Sequence, residues 1–347
     1  MAAKKPGFSV TMLRIRKNQA DDQTGFFGKM LFGKKSNYTE IPVYSWHFNG
    51  DEIVVEEYTG DTPNDGALKN FNLADVVYPL KDIKAITEKD NKLAFADVSG
   101  KSYEVPINDL KEKIQKENIS QKTFLLGTDR YGRDLMSQLI IGTRVSLSVG
   151  LISVIISLLI GILLGALAGF FRGWIDNLIV WFINVVWSIP TLLLVIAITF
   201  ALGKGFWQVF IAIGLTMWVD VARIVRGQIL SIREKEFVEA GRALGYKNFR
   251  IIFRHILPNV MGPVIVISAA NFASAILIEA GLSFLGIGVQ PPMPSWGTMI
   301  KEHYSYIILD SPHLAILPGL AIMLMVLAFM LIGNGLRDAL DVRSVNR

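Results

Sequence analysis

Few side chains in this 347-residue chain are spaced for bond-making chemistry. Its four histidines, His47, His255, His303 and His313, lack the close helical spacing with which a zinc enzyme grips its metal. There is no cysteine, so there is no thiolate nucleophile, disulfide framework or Cys-based metal site. No Gly-x-Ser-x-Gly turn is present to raise a serine. Gly28, Gly33 and Lys34 copy the opening of a phosphate-binding loop, but Lys35 stands where a Ser or Thr must hold magnesium, and no strand leads in. Asp129, Arg133 and Asp134 read as a salt-bridged turn rather than an acid–base pair. Glu279 closes an apolar run, a position where an ionisable group often marks a transport path in membrane proteins, and it is the residue singled out for that role. No catalytic residue, metal or cofactor is expected. What remains is a contact surface: Arg223 to Arg254 carries eight basic against three acidic residues and contains Glu239, Ala240, Gly241 and Gly245, followed by Leu257 and Pro258.

The elements that must hold this stretch live in two solvents. With 51% hydrophobic residues and a mean hydropathy of +0.40, the whole is too apolar for a soluble protein, yet the first 122 residues balance eighteen basic against eighteen acidic side chains and contain no long apolar run. Apolar stretches at about 145–171, 177–203, 205–222, 256–280 and 314–336 are each read as a helix crossing the bilayer, the third carrying Asp220 near its end with Arg223 and Arg226 one turn away to pair with it at headgroup level. The basic loop 223–255, together with Arg337, Arg343 and Arg347, assigns that loop and the C-terminus to the cytoplasm. A basic stripe on a soluble domain is missing, so nucleic acid is not an expected partner.

Five crossings place the N-terminal region, 1–122, outside. It reads as a small β-rich domain at about 40–108, with turns at Asn49-Gly50 and Ser99-Gly100 between alternating runs, followed by a helix over Asn108 to Asn118. Export of such a domain calls for a preceding span or signal, and Arg130, Arg133 and Arg144 oppose the usual charge rule, so a span upstream of Met1 is expected. Inside the first crossing, Gly161, Gly165 and Gly169 repeat every fourth residue and offer a flat face for close helix packing. Pro190, Pro263 and Pro318 fall in or near crossings and can bend them.

Within the basic loop, Ser231 and Glu234 have the spacing of a capping box, which predicts a helix starting near Ile232. Phe237, Ala240, Gly241 and Leu244 then share one face, Gly245 can end the helix in the left-handed conformation, and Phe249, Ile252, Phe253 and Ile256 begin a second stripe. A short helix-turn-helix at the membrane surface follows. The physics alone leaves open whether it lies on lipid, on its own bundle or on a partner.

The spacing of Glu239-Ala240, Gly245 and Leu257-Pro258 resembles the coupling motif of bacterial ABC importer permeases, with Gly241 in place of a second Ala and His255 in place of an Ile. Leu126-Gly127-Thr128-Asp129 with Gly132-Arg133-Asp134, Ala222-Arg223 with Val225-Arg226-Gly227, Arg254 to Asn259, Leu282 to Gly286, Pro291-Pro292 and Pro294 to Gly297 resemble the dipeptide and oligopeptide branch, over Phe124 to about Arg343. The resemblance implies a polytopic helical bundle that catalyses nothing itself. It would be a permease subunit in the bacterial cytoplasmic membrane, paired with a sister permease, driven by two ATPase subunits and fed with peptides by an extracytoplasmic binding protein. Glu239, Ala240, Gly241, Gly245, Leu257 and Pro258 would then form the ATPase-coupling contact. Nickel or another small solute is the alternative cargo. An ATP-independent transporter or channel is the alternative class, disfavoured because the crossings hold so few ionisable residues.

Overall fold

The computed structural model describes residues 3–19, 36–60, 62, 65–203, 205–290, 293–309 and 311–340. Gly28, Gly33, Lys34, Pro291, Pro292, Arg343 and Arg347 lie outside the described residues. The chain divides into two compact units, Met1–Met136 and Ser137–Arg347.

In the first unit, β1 (Phe8–Arg16), β2 (Tyr38–Asn49), β3 (Glu52–Glu57), β4 (Leu68–Asn72) and β8 (Ile119–Phe124) form an antiparallel sheet in the order β4-β3-β2-β1-β8. A smaller sheet pairs β5 (Thr87–Lys89), β6 (Lys92–Ala96) and β7 (Ser102–Pro106), while α1 (Leu73–Val77) and α2 (Ile107–Lys113) cap the core. Leu13, Ile53, Val55, Leu73, Leu80, Leu93 and Leu110 fill that core. Gly50 and Gly100 adopt φ of +60° and +84° at the two hairpin turns, where glycine has no steric penalty. The second turn is tied by Asp97, whose carboxylate accepts from the Ser99 and Lys101 amides, both at 2.9 Å, and from the Tyr103 hydroxyl at 3.2 Å. The strand content is wider than 40–108. β1 lies inside the sheet, between β2 and β8, because it pairs with β8, Phe8 opposite Phe124, a partner far away in sequence that no local pattern announces.

The second unit is helical: α3 (Leu135–Phe171), α4 (Gly173–Trp187), α5 (Thr191–Leu202), α6 (Phe206–Ile232), α7 (Glu236–Ala243), α8 (Asn248–Leu285), α9 (Trp296–His303) and α10 (His313–Leu340). Four of these, α3, α6, α8 and α10, are long and apolar enough to cross a membrane. The expected crossing at 177–203 is instead a broken pair: α4 and α5 meet at 94° across Ser188 to Pro190. Proline lacks the amide that would continue the helix, and Pro190 takes the extended N-cap conformation of α5. The expected crossing at 205–222 extends ten residues further, to Ile232, which moves Asp220 from a helix end to mid-helix. Arg226 does not pair with Asp220; it makes a two-pronged bridge to Asp176 of α4, at 2.6 and 2.8 Å.

The seam between α3 and α6 sets the bundle. Cβ atoms added at Gly161 and Gly165 would stand 2.5 Å from the Val221 Cβ and the Ala222 carbonyl oxygen, and one at Gly169 would stand 2.9 Å from the Arg226 carbonyl oxygen. Backbone therefore meets backbone along three successive turns. Further up, the buried Ser153 hydroxyl donates to the Phe210 carbonyl at 3.0 Å, and Gly214 of α6 faces Ile156. In α6, 67% of the apolar stretch is buried, against 17% in α10, which presents most of its apolar side chains outward. At one end of α3 the Trp296 indole donates to the Leu139 carbonyl at 3.0 Å. At the other end, Phe170 meets the loop that follows α6. These ends are about 45 Å apart at 1.5 Å per residue.

Replacing Gly165 with Leu is expected to force α3 from α6 and cost about 1–3 kcal/mol, whereas Gly227→Ala, on an open side of α6 with nothing within 4 Å, is expected to gain up to about 1 kcal/mol. Thermal unfolding of the purified protein in detergent, read by circular dichroism, gives both signs. In the first unit, the Ser99 hydrogen bond is the largest of the effects that hold the Asp97 carboxyl below the usual carboxylate range. A depressed native value stabilises the fold above the unfolded pKa of about 3.9 and is lost as pH falls through the native one. Amide exchange at Ser99 and Lys101 should therefore accelerate below about pH 4 in the native sequence, and Asp97→Asn should remove that pH step.

Candidate functional site

The loop after α6 folds as two helices around one glycine. α6 does not stop at Ser231; it runs to Ile232, and α7 starts at Glu236 with Lys235 as its N-cap and no side-chain cap. The expected capping box is absent because Glu234 is drawn away to Arg172, at 2.6 Å. Glu236 and Glu239 occupy the first turn of α7 and Arg242 the last, each sign matched to the helix dipole. The helix closes with a double-hydrogen-bonded left-handed cap. Tyr246 N–H donates to the Gly241 carbonyl at 3.1 Å, Gly245 N–H to that of Arg242 at 2.9 Å, and Gly245 has φ +75°.

The inward side of this motif is apolar and sealed. Val238, Gly241, Ile251, Ile252 and Ile256 are buried. Apart from Gly241, they share one cluster with Phe170 of α3 and with Val225, Ile229 and Ile232 of α6. A π-helical stretch, Ile251–Ile256, joins the start of α8 to its long regular part, Leu257–Leu285. The turn is clamped by a layered stack, with Arg250 over the Tyr246 ring at 4.3 Å and His255 parallel to that ring at 5.7 Å. The arginines of the loop are tied inward as well. Arg233 donates to the Phe170 carbonyl, and Arg242 lies over the Phe170 ring. Burial first, then Arg172 and Arg242, hold the Arg233 guanidinium below its ordinary pKa.

The outward side is different. Glu239, Ala240 and Gly245 are exposed, as is Pro258, and Leu257 is half-buried. Phe237, Leu244, Phe249 and Phe253 are also exposed, Leu244 at 71% and Phe249 at 64%, and Phe249 stacks parallel on Phe253 at 6.2 Å. Of the predicted stripes, only Gly241, Ile252 and Ile256 turn inward. A Cβ at Gly241 would meet nothing nearer than Tyr246 at 3.5 Å, so alanine fits there.

Glu279 is fully buried in α8, hydrogen-bonded by the Ser283 hydroxyl at 2.6 Å. The cavity that the sequence did not reveal lies one turn away, where α4 breaks into α5: about 260 Å³, bounded by Trp187, Thr191, Thr216, Asp220, Asn271 and Ser274 among others. Only Asp220 had drawn notice, and the cue that could have found the rest is Pro190 following a run of aromatic residues. Among the described residues, no three His, Asp or Glu side chains are grouped to hold a metal ion.

Comparison with known proteins places the chain. Residues 161–345 match the family described as "Binding-protein-dependent transport system inner membrane component". The glutathione transport system permease protein GsiD of Pectobacterium atrosepticum is 43% identical over 216 residues, covering 62% of this chain and 71% of that protein. The dipeptide transport system permease protein DppC of Alkalihalophilus pseudofirmus is 45% identical over 215 residues, 62% and 70% respectively. Among solved structures, an inward-facing MetNI methionine ABC transporter aligns over 58% of this chain and 97% of its own, with a TM-score of 0.46 and 20% identity. The chain belongs to the binding-protein-dependent transport system inner membrane components and is a multi-pass ABC importer permease of the dipeptide and oligopeptide type.

Proposed function

We propose that this chain carries short peptides across the bacterial cytoplasmic membrane as one of two permease subunits, and that the α7–turn–α8 motif is where separate ATPase subunits push on it. The single observation that supports the coupling role is the division of this loop into a stapled inner side and a bare outer side. Arg226, Arg233 and Arg242 contact the bundle, while Glu239, Ala240 and the Phe249–Phe253 pair are left outward beside the exposed Lys247, Arg250 and Arg254. A surface apolar patch on a rigid support, rimmed by charges of both signs, is the form of a docking site. Glu239 supplies a hydrogen-bond acceptor for a basic group on the ATPase, Ala240 and Gly245 let that surface approach closely, and Gly245 and Pro258 set the angle between the helices.

In this reading ATP hydrolysis belongs to the partner, and the chain contributes movement only. The seam of Gly161, Gly165 and Gly169 passes that movement from α6 to α3 because two backbones in contact shift together. Glu279, sealed beside the path, acts as a brace for α8. The β-rich first unit, outside the membrane, meets the binding protein; removing its sheets without changing affinity for that protein or transport would refute the assignment.

Two substitutions test the coupling site. Glu239→Lys is expected to weaken ATPase binding by about tenfold to a hundredfold, the worth of a charge-assisted hydrogen bond of about 1.5–3 kcal/mol, read as loss of ATPase from the affinity-purified complex and of peptide uptake in cells. Full retention of both defeats the proposal. Gly245→Ala is expected to strain the left-handed cap by about 1–2 kcal/mol and to speed tryptic cleavage at Lys247 in inside-out vesicles, while Gly241→Ala leaves cleavage and uptake as they are.

A further inference from the structure

The cavity at the broken pair α4–α5 has the two poles of a zwitterion. Asp220 sits mid-helix in α6, accessible through the cavity, and makes no hydrogen bond or ion pair among the described residues. The nearest arginine on its own helix, Arg223, lies over the Trp187 ring at 3.6 Å and donates to Asn184 at 3.3 Å, so it acts on the carboxylate through space without a hydrogen bond to it. A carboxylate in this apolar setting demands a cation. On the other side, Asn271 of α8 is only 4% exposed, lines the same cavity, and its amide nitrogen has no hydrogen-bond partner. A buried amide donor left unsatisfied is costly, and this one belongs to a side chain that lines a space where a ligand can sit. The N-terminus of α5 opens onto that space as well. Pro190, its N-cap, supplies no side-chain acceptor, so the first amides of the helix and its positive dipole end are open to an anion.

We propose that this cavity is a way-station for the peptide inside the membrane, with the α-ammonium of a short peptide on the Asp220 carboxylate and its carboxylate, or its first carbonyl, on the Asn271 amide and the α5 N-terminus. The inference rests on the peptide-importer reading and adds to it which ends of the cargo this subunit holds. Volume agrees with the class: about 260 Å³ holds on the order of eight waters, enough for a dipeptide. Charge agrees too, since the ammonium of such a ligand answers Asp220 while its carboxylate meets the Asn271 amide and the partial positive charge of the α5 N-terminus. A neutral or purely anionic solute would leave Asp220 unanswered. Ser274 and Thr191 flank the poles with hydroxyls and set no length, which suits cargo of varied side chains.

The test uses the complete importer in proteoliposomes, with its binding protein loaded equally with dialanine or with N-acetyl-dialanine, and reads peptide moved per ATP hydrolysed. Asp220→Asn is expected to lower that ratio for dialanine about tenfold or more and to abolish the wild-type preference for dialanine over the acetylated peptide. Asn271→Ala is expected to lower it by a smaller factor. A dialanine ratio unchanged in both variants overturns the inference, as does a wild type that moves both peptides equally well at equal loading. Should Asp220→Asn fail to assemble, Asn271→Ala decides alone, an unchanged ratio counting against. A wild type that hydrolyses ATP under stimulation by the binding protein yet moves neither peptide sinks the importer reading itself, a different result.

Discussion

Between Gly161 and Gly169 the backbone of α3 lies against α6, its glycines meeting backbone atoms and the Cβ ends of Val221, Val225 and Ile229, and the position of nearly everything in the helical unit follows from that contact. Close approach forces α6 into the centre of the bundle. There it shares buried clusters with α8 below the middle and with α5 above it, which leaves α10 on the outside. Because α3 spans about 45 Å from the Trp296 contact to Phe170, the same seam fixes where α6 ends and so where α7 begins. The outward patch at Phe249 and Phe253 owes its orientation to this chain of constraints and not to any preference of its own residues.

Charge in the loop is spent differently from what its composition suggests. Eight basic residues in Arg223 to Arg254 read as a positive cytoplasmic surface. Arg226 is used on Asp176, Arg233 on the Phe170 carbonyl and Arg242 on the Phe170 ring, while Glu234 is held by Arg172 from the α3–α4 turn. These contacts staple two inter-helix connections to one another. What the motif leaves exposed is an aromatic and small-residue face edged by Glu239 and by Lys247, Arg250 and Arg254.

Legibility in the sequence followed the range of the interaction. The four-residue period of Gly161, Gly165 and Gly169, the turns at Gly50, Gly100 and Gly245, and four of the crossings are written in short windows, where backbone conformation or apolar length alone decides. The helix–turn–helix around Gly245 was legible because its members sit close together along one loop. Failures occurred where a distant residue decides. Ser231 and Glu234 have capping-box spacing, but Arg172 takes the glutamate. Asp220 reads as near a crossing's end because the apolar run stops at 222, yet Asn184, Trp187 and Asp176 of α4 engage the arginines that follow and the helix runs on. Asn271 carries no local mark at all, since its unsatisfied amide exists only once α5, α6 and α8 are assembled around it.

The enclosed position of α6 bears on how the subunit is made. On its own this helix would enter lipid carrying an acidic side chain at mid-depth and two arginines a turn or two beyond, each expensive in hydrocarbon at about 2.5–3.5 kcal/mol at the centre of a helix. Its glycine-fitted partner α3 emerges earlier from the ribosome, and α4, which supplies Asp176, Asn184 and Trp187 to neutralise and cover those arginines, emerges between them. Synthesis order thus delivers the shelter before the segment that needs it, so the translocon has reason to release α3 through α6 as a group instead of one helix at a time.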